Sequence, residues 1–366
     1  MFQKILLQNI RVFEKASFEF DKGVNLIVGP NGSGKTTVLE SLALFSFGRF
    51  QSVEKDQMAI RLGEEVGRIE ATIIQEQSSR QVELSMTPTG RTMKIDSKKL
   101  PASQMVGVQR SVLFNPETIN LVSGAPQLRR RELDLTIAQK HTTHIKILLE
   151  YRQILRQRNE LLKRIALDFS DLGELDFWDR QLSEHALGIV RERKAFIKQA
   201  NFRIGAVYKE LLGHDRALSL RYLKSADYGD FLGALKHKRG YDIKSGLTSV
   251  GPHRDDFCFE TGSFKLEEGA SRGEQRLAAF AFKLIERDYL TDEKHIPVLL
   301  MDDVFSELDS SRRDMVVEVL DGGPSTALPS ASLGASGTGQ IILTATDEKV
   351  VPSMIRERGK VIKLQG

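Results

Sequence analysis

Residues 24–36 read Val-Asn-Leu-Ile-Val-Gly-Pro-Asn-Gly-Ser-Gly-Lys-Thr, a mostly apolar run that leads straight into a glycine-rich turn. The spacing Gly29-x-x-x-x-Gly34-Lys35-Thr36 lets the backbone curl until successive N–H groups point into one concavity, a cradle for phosphate oxygens. After the turn, Val38, Leu39, Leu42, Ala43 and Phe45 recur at helical spacing, so a helix is expected whose N-terminus faces the same anion. Strand, phosphate turn and helix in that order commit the chain to an α/β fold with a buried sheet. Gly29, Pro30, Asn31, Gly32, Ser33, Gly34, Lys35, Thr36 and Thr37 are the expected phosphate-binding residues. Lys35 supplies a cation at the β- and γ-phosphates, and Thr36 offers a hydroxyl to Mg²⁺.

A second motif lies far downstream. Val298-Leu299-Leu300-Met301 reads as an interior strand, and two carboxylates, Asp302 and Asp303, emerge at its end. Asp302 suits the Mg²⁺ shell of a Walker B site, and Asp303 is placed to activate the attacking water. Between the two motifs, Ala270-Ser271-Arg272-Gly273-Glu274-Gln275-Arg276 precedes a strongly amphipathic stretch, residues 275–287. This segment resembles the signature of ATP-binding-cassette ATPases, in which Ser271, Gly273 and Gln275 would meet the γ-phosphate of ATP held by an opposite protomer. Ser306-Glu307-Leu308-Asp309 resembles the D-loop of the same superfamily, with Ser306 and Asp309 as its expected functional residues.

The rest of the chain sets the frame. Alternating apolar residues between 68 and 95 predict antiparallel strands with a turn near Pro88-Thr89-Gly90. Helical spacing from 125 to 164 and again from 177 to 212 predicts two helices of about 35 residues each, near 50 Å long at 1.5 Å per residue. Further strands are expected at 217–223, 256–260 and 341–344, with a short helix at 231–238. Residues 321–340, rich in Gly, Ser, Ala and Pro, read as an added loop. The expected division is a head, residues 1–125, a helical insertion, 126–213, and the rest of the head, 214–366.

Composition narrows the setting. No run of eighteen apolar residues is present in the 366, and the first ten lack a signal-peptide apolar core, so a cytoplasmic protein without a membrane span is expected. A single cysteine, Cys258, excludes an internal disulfide and a Cys-rich zinc site. Net charge is only +4, yet residues 127–164 hold ten Lys or Arg against four Asp or Glu. Arg129, Arg130 and Arg131 open that basic stretch and are the candidate DNA-binding residues.

Four segments carry a closer resemblance: Phe114-Asn115-Pro116-Glu117, Leu121-Val122-x-Gly124-x-Pro126-x-x-Arg129-Arg130, Gly251-Pro252-His253-Arg254-Asp255-Asp256 and Asp302 to Asp309. In that order, and over nearly the whole chain, they resemble the RecF family. The resemblance implies an ABC-type, DNA-dependent ATPase of DNA replication, recombination, repair and the SOS response, related to the heads of structural-maintenance-of-chromosomes proteins. It implies ATP and Mg²⁺ as cofactors and an ATP-dependent homodimer on duplex DNA and single/double-strand junctions. RecR and RecO are the implied partners, helping RecA to load at single-strand gaps. A transporter ATPase fits less well, because Lys35 and Ser271 are 236 positions apart. A zinc-hook break-repair ATPase needs a Cys-x-x-Cys that one cysteine cannot supply.

The sequence also departs from the pattern. Glu274 stands where glutamine commonly follows the signature glycine, and Thr344-Ala345-Thr346-Asp347 stands where transporters carry a switch histidine. Asp303 replaces the transporters' glutamate, so slow hydrolysis is expected. Gln109 is a candidate Q-loop residue, and Arg49 a candidate for reaching phosphate in cis. His253 and Arg254 stand out without an assigned role.

Overall fold

The computed structural model describes residues 1–53, 55–75, 78–262, 264–305, 313–317 and 339–365. In chain order the elements are β1 (Phe2–Ile10), β2 (Phe13–Glu19), β3 (Val24–Val28), α1 (Lys35–Phe47), β4 (Gly67–Gln75), β5 (Ser78–Thr87), β6 (Gly90–Ile95), β7 (Lys98–Leu100) and β8 (Ser111–Phe114). Helices α2 (Asn120–Ser123), α3 (Pro126–Lys140), α4 (Thr142–Ala166), α5 (Leu175–Asn201) and α6 (Ile204–Leu212) follow. Then come β9 (Ser219–Leu223), α7 (Phe231–Ser245), β10 (Asp256–Thr261), β11 (Phe264–Lys265), α8 (Leu266–Gly269), α9 (Arg272–Leu290), β12 (Val298–Asp302), β13 (Ile341–Ala345) and β14 (Lys360–Lys363).

Two units share the chain. The first takes residues 1–119, 203–217 and 271–366; the second takes 120–202 and 218–270. Within the first unit, a parallel sheet runs in the order β14-β3-β13-β12-β8. Strands β8, β12 and β13 are buried at every residue, as near-continuous apolar runs in a covered parallel sheet require. A second, antiparallel sheet follows the order β2-β1-β4-β5-β6-β7, with the hairpin turn of β5 and β6 at Thr87 and Gly90. Helix α1 packs on β8, β12 and β13 of one sheet and on β1 of the other. It is therefore buried at every residue but Thr36. Register places Asp302 beside Thr344 and Val28 beside Ala345, so the carboxyl ends of β3, β13 and β12 lie side by side. Ligands of open α/β sheets bind at that edge.

The second unit joins α2, α3, α4, α5, α7 and α8 to a small sheet, β11-β10-β9. Leu148, Tyr151 and Ile154 of α4 meet Leu182, Ala186 and Ile189 of α5 and Phe231 and Leu235 of α7 in one apolar core. Two expectations are corrected here. Each predicted long helix is two shorter ones: the first breaks at His141 (φ −120°, ψ 88°), the second between Asn201 and Ile204. The longest pieces, 25 and 27 residues, reach only about 40 Å. The boundaries move as well. Residues 203–217 belong with the head, while 218–270 join the helical unit, because β9 and α7 pack on α5 and β10 packs on α3.

One buried ionic cluster holds the helices of this unit in register. Arg158, wholly buried, donates to Asp179 Oδ1 at 2.7 Å, Asp242 Oδ2 at 2.9 Å and Thr248 Oγ1 at 2.8 Å. Asp179 and Asp242 are themselves buried completely. Among the described residues, removing the cation leaves the buried Asp242 carboxylate with no cationic partner and Asp179 with Arg239 alone, so Arg158→Ala is expected to cost about 3–5 kcal/mol of stability. Urea unfolding followed by circular dichroism measures it; a loss within the range of a surface pair, below about 1 kcal/mol, would refute the reading.

Candidate nucleotide site

The turn after β3 has the backbone its sequence requires. Gly34 sits at φ 96°, and a Cβ there would come within 2.4 Å of the Phe13 ring, so no other residue fits. Lys35 opens α1, and its Nζ donates to the carbonyls of Gly29 at 2.7 Å and Pro30 at 2.9 Å. The ammonium is thus folded over the turn, within the same loop whose N–H groups would meet phosphate. Ser33 Oγ is buried without a hydrogen-bond partner, a hydroxyl that an incoming anion could satisfy.

At the neighbouring strand end the two motifs meet. Thr36 Oγ1 donates to Asp302 Oδ2 at 2.8 Å, and Thr344 Oγ1 donates to Asp302 Oδ1 at 2.6 Å. The N–H of Asp303 in turn donates to Thr344 Oγ1 at 3.0 Å. Asp303 has a left-handed backbone, φ 50°, which turns the chain sharply at the end of β12. Thr344 therefore orients both carboxylate residues at once. The sequence shows it only as a departure at the switch position; its role appears once β12 and β13 are paired.

Asn31, Gly32, Lys35, Thr36, Thr37, Asp302 and Asp303 line one cleft of about 350 Å³, together with Arg11, Val12, Pro116 and Thr346. That volume lies within the range of ligand pockets. Arg11 is a cleft residue that sequence reading missed. It lies in the turn between β1 and β2 at φ 46°, paired with Glu40 at 2.6 Å and 5.4 Å over the Phe50 ring. Arg49, by contrast, donates to the carbonyls of Phe50 and Val53 and does not line the cleft. Nor does Gln109, whose Oε1 accepts from the N-terminal amine at 3.2 Å and whose Nε2 donates to Arg110 O at 3.1 Å.

Ser271 and Gly273 also stand outside this cleft. Ser271 caps α9: its Oγ accepts from Glu274 N at 3.3 Å, and its own N–H donates to Glu274 Oε2 at 2.7 Å, a reciprocal capping box. Glu274 also pairs with Arg216. Burial opposes ionisation of Glu274, but the Ser271 bonds and the Arg216 charge win and hold its carboxyl below the usual range. The glutamate that departs from the signature pattern is thus the capping partner of Ser271. Ser271 remains exposed at the helix N-terminus, whereas Gln275 is buried. Ser306 and Asp309 lie outside the described residues, as does most of the 321–340 loop.

The basic triplet divides. Arg129 is 5% exposed; it grips Asp256 with Nε and Nη2 at 2.9 and 2.7 Å and donates to Gly124 O at 2.8 Å. Its donors are committed to the fold, which corrects the expectation that it contacts DNA. Arg130 and Arg131 stay half-buried, and Arg130 donates to Asp255 O at 2.8 Å.

A parallel sheet bearing a glycine turn with its lysine, a strand-end carboxylate pair and a capped signature-like helix defines an ABC-ATPase-like P-loop head. A family model described as an AAA domain matches residues 4–185. The chain belongs to the RecF family: it is 32% identical to the DNA replication and repair protein RecF of Lachnospira eligens over 86% of this chain and 88% of that one. It is 33% identical to the RecF of Agathobacter rectalis over 87% and 89%. A solved structure of the recombination mediator protein RecF with ATP, in the RecFOR pathway, superposes with a TM-score of 0.86 at 28% identity, covering 96% of this chain and 93% of that one. An Smc head bound to the C-winged helix domain of ScpA shares the fold at a TM-score of 0.54 and 14% identity, covering 95% of this chain and 90% of that one.

Proposed function

We propose that this chain is an ATP-driven DNA-binding protein of recombinational repair, one that dimerises around ATP and hydrolyses it slowly. The observation that carries the reading is the contact of Thr36 with Asp302, beside Lys35 in one cleft. Thr36 and Asp302 bring a hydroxyl and a carboxylate oxygen together, the hard oxygen donors that would hold Mg²⁺, so this pair fits the metal. When bound, Mg²⁺ would neutralise charge on the phosphates. The chain's own residues do the rest. The turn N–H groups bind the phosphates, Lys35 moves from the Gly29 and Pro30 carbonyls to the β/γ oxygens, and Asp303 takes a proton from the attacking water. In trans, Ser271 and Gly273 at the N-terminus of α9 meet the γ-phosphate held by a second copy. Asp303 carries a shorter side chain than glutamate, which supports slow turnover.

Duplex DNA and single/double-strand junctions are the proposed targets, with RecR and RecO as partners in loading RecA at gaps. A cytoplasmic setting fits these roles; among the described residues no helix is long and apolar enough to cross a membrane. The test is DNA affinity and oligomeric state with and without ATP and Mg²⁺. Tight binding and dimerisation that need neither would overturn the proposal. Asp303→Asn separates binding from chemistry: ATP-dependent dimers persist, while phosphate release falls about a hundredfold or more, the contribution of a general base. Unchanged turnover would move the base elsewhere.

A further inference from the structure

The segment Gly251–Asp256 belongs to the second unit, and the nucleotide site uses none of it. It is nonetheless built rigidly. The N–H groups of Arg254 and Asp255 both donate to Gly251 O, at 2.7 and 3.2 Å. Gly251 sits at φ 130°, and a Cβ there would lie 2.6 Å from Tyr151 Oη. His253 Nε2 lies 3.1 Å from Thr248 O, and a carbonyl can only accept, so Nε2 carries the proton. Nδ1 therefore accepts from Tyr151 Oη at 2.7 Å. Arg193 Nη1 donates to Pro252 O at 2.7 Å, and Gly251 N donates to Ser225 Oγ at 2.8 Å.

Not every guanidinium around this turn is hydrogen-bonded to a carboxylate. Arg193 takes both oxygens of Asp134, each at 2.8 Å. Arg129 takes both oxygens of Asp256. Asp255 accepts from Tyr222 Oη, Tyr228 Oη and Ser225 N at 2.6–2.7 Å. Arg130 and Arg254 bond carbonyls, Asp255 O at 2.8 Å and Thr248 O at 3.3 Å, and the Asp134, Asp255 and Asp256 carboxylates act on Arg130 without bonding it. A carbonyl satisfies a donor but does not neutralise a guanidinium. Arg254 is exposed, and among the described residues only its Nε has a side-chain hydrogen-bond partner. Arg254 Nε and His253 Nε2 share the Thr248 carbonyl, and Arg130 reaches the carbonyl of the residue after Arg254. Burial first, then the Arg254 and Arg130 charges, pushes His253 down to about 4 against the pull of its Thr248 bond and the Asp255 carboxylate.

We propose that Arg254 and Arg130 form a preorganised anion site that takes a phosphodiester of the DNA backbone. A planar guanidinium matches two phosphate oxygens at once, and a turn already fixed by buried bonds loses little freedom on binding. The site reads no bases. It rests on the proposed DNA-binding function and names where a phosphate sits.

The full-length protein, with ATP and Mg²⁺, is titrated with two duplexes of unrelated sequence across a range of salt. Arg254→Ala should weaken both complexes about tenfold and reduce the slope of log K against log salt by about one. Arg130→Ala should do the same, and Arg254→Lys, which keeps the charge, should keep the slope. ATP affinity and melting temperature should not change in the Arg254 variants. Wild-type binding with unaltered affinity and slope in both alanine variants would overturn the site. Loss of slope in the lysine variant would also overturn it, by marking a structural effect. A wild type that binds neither duplex at any salt would instead sink the DNA-binding function itself.

Discussion

Lys35→Met abolishes useful ATP affinity and, with it, every nucleotide-dependent property. Lys35 is 8% exposed and donates two hydrogen bonds within the loop, so its ammonium is held beside the turn, from which it has only to swing to the β- and γ-phosphates. Methionine keeps an unbranched apolar stem, one atom shorter, but offers no charge. Truncating one partner of a buried charged pair costs about 3 kcal/mol or more, which is about two orders of magnitude in Kd. Gly34 and the turn are untouched, so the fold should survive with little change in melting temperature. Calorimetric titration with ATP and Mg²⁺ measures the loss, and light scattering follows the dimer. A mutant that dimerises with ATP as well as wild type would show that the Lys35 cleft is not the nucleotide site.

Ser271→Arg should do something different: ATP binding stays near normal, while the ATP-bound dimer and hydrolysis fail together. Ser271 is exposed at the start of α9 and lies outside the Lys35 cleft, so it has no part in its own subunit's phosphate turn. In a two-fold dimer the same substitution occurs twice in one isologous interface. A guanidinium there also competes for Glu274, which now caps Ser271 and pairs with Arg216. Were Ser271 only a cap, its loss would cost about 1 kcal/mol of helix stability with or without ATP. Nucleotide titration and light scattering on the same sample tell the two apart. A mutant that dimerises with ATP and turns over normally would rule out the trans arrangement.

What the sequence made legible was local. The turn of 29–36, the apolar run of 298–301 and the signature-like segment of 270–276 are each written in a few consecutive residues, and an α/β head follows from them. Long-range partnership was not legible. Arg129 reads as an exposed cation until Asp256, 127 positions later, is folded against it. Arg11 carries no signal in the sequence, because its place beside the cleft depends on Glu40 of α1, 29 positions later, being folded against it. Thr344 reads as a missing histidine until β13 lies against β12. The helix breaks at His141 and Phe202 escaped notice because residues 139–144 and 201–203 hold no glycine or proline, and apolar residues resume at Ile145 and Ile204.

The order of strands in the parallel sheet has a consequence for the chain as it leaves the ribosome. Strand β3, which carries the phosphate turn, has two neighbours, β13 and β14, and both lie beyond residue 340. At about 5–20 residues per second, roughly 15 to 60 s separate the emergence of β3 from that of its first partner. Through that interval a five-residue strand, four of whose residues end up buried, must wait with both edges unpaired. The antiparallel sheet and the helical unit draw on earlier residues and can form meanwhile. Competence to hold nucleotide therefore arrives last, and a nascent chain stalled before residue 341 would carry a complete helical unit but no working phosphate turn.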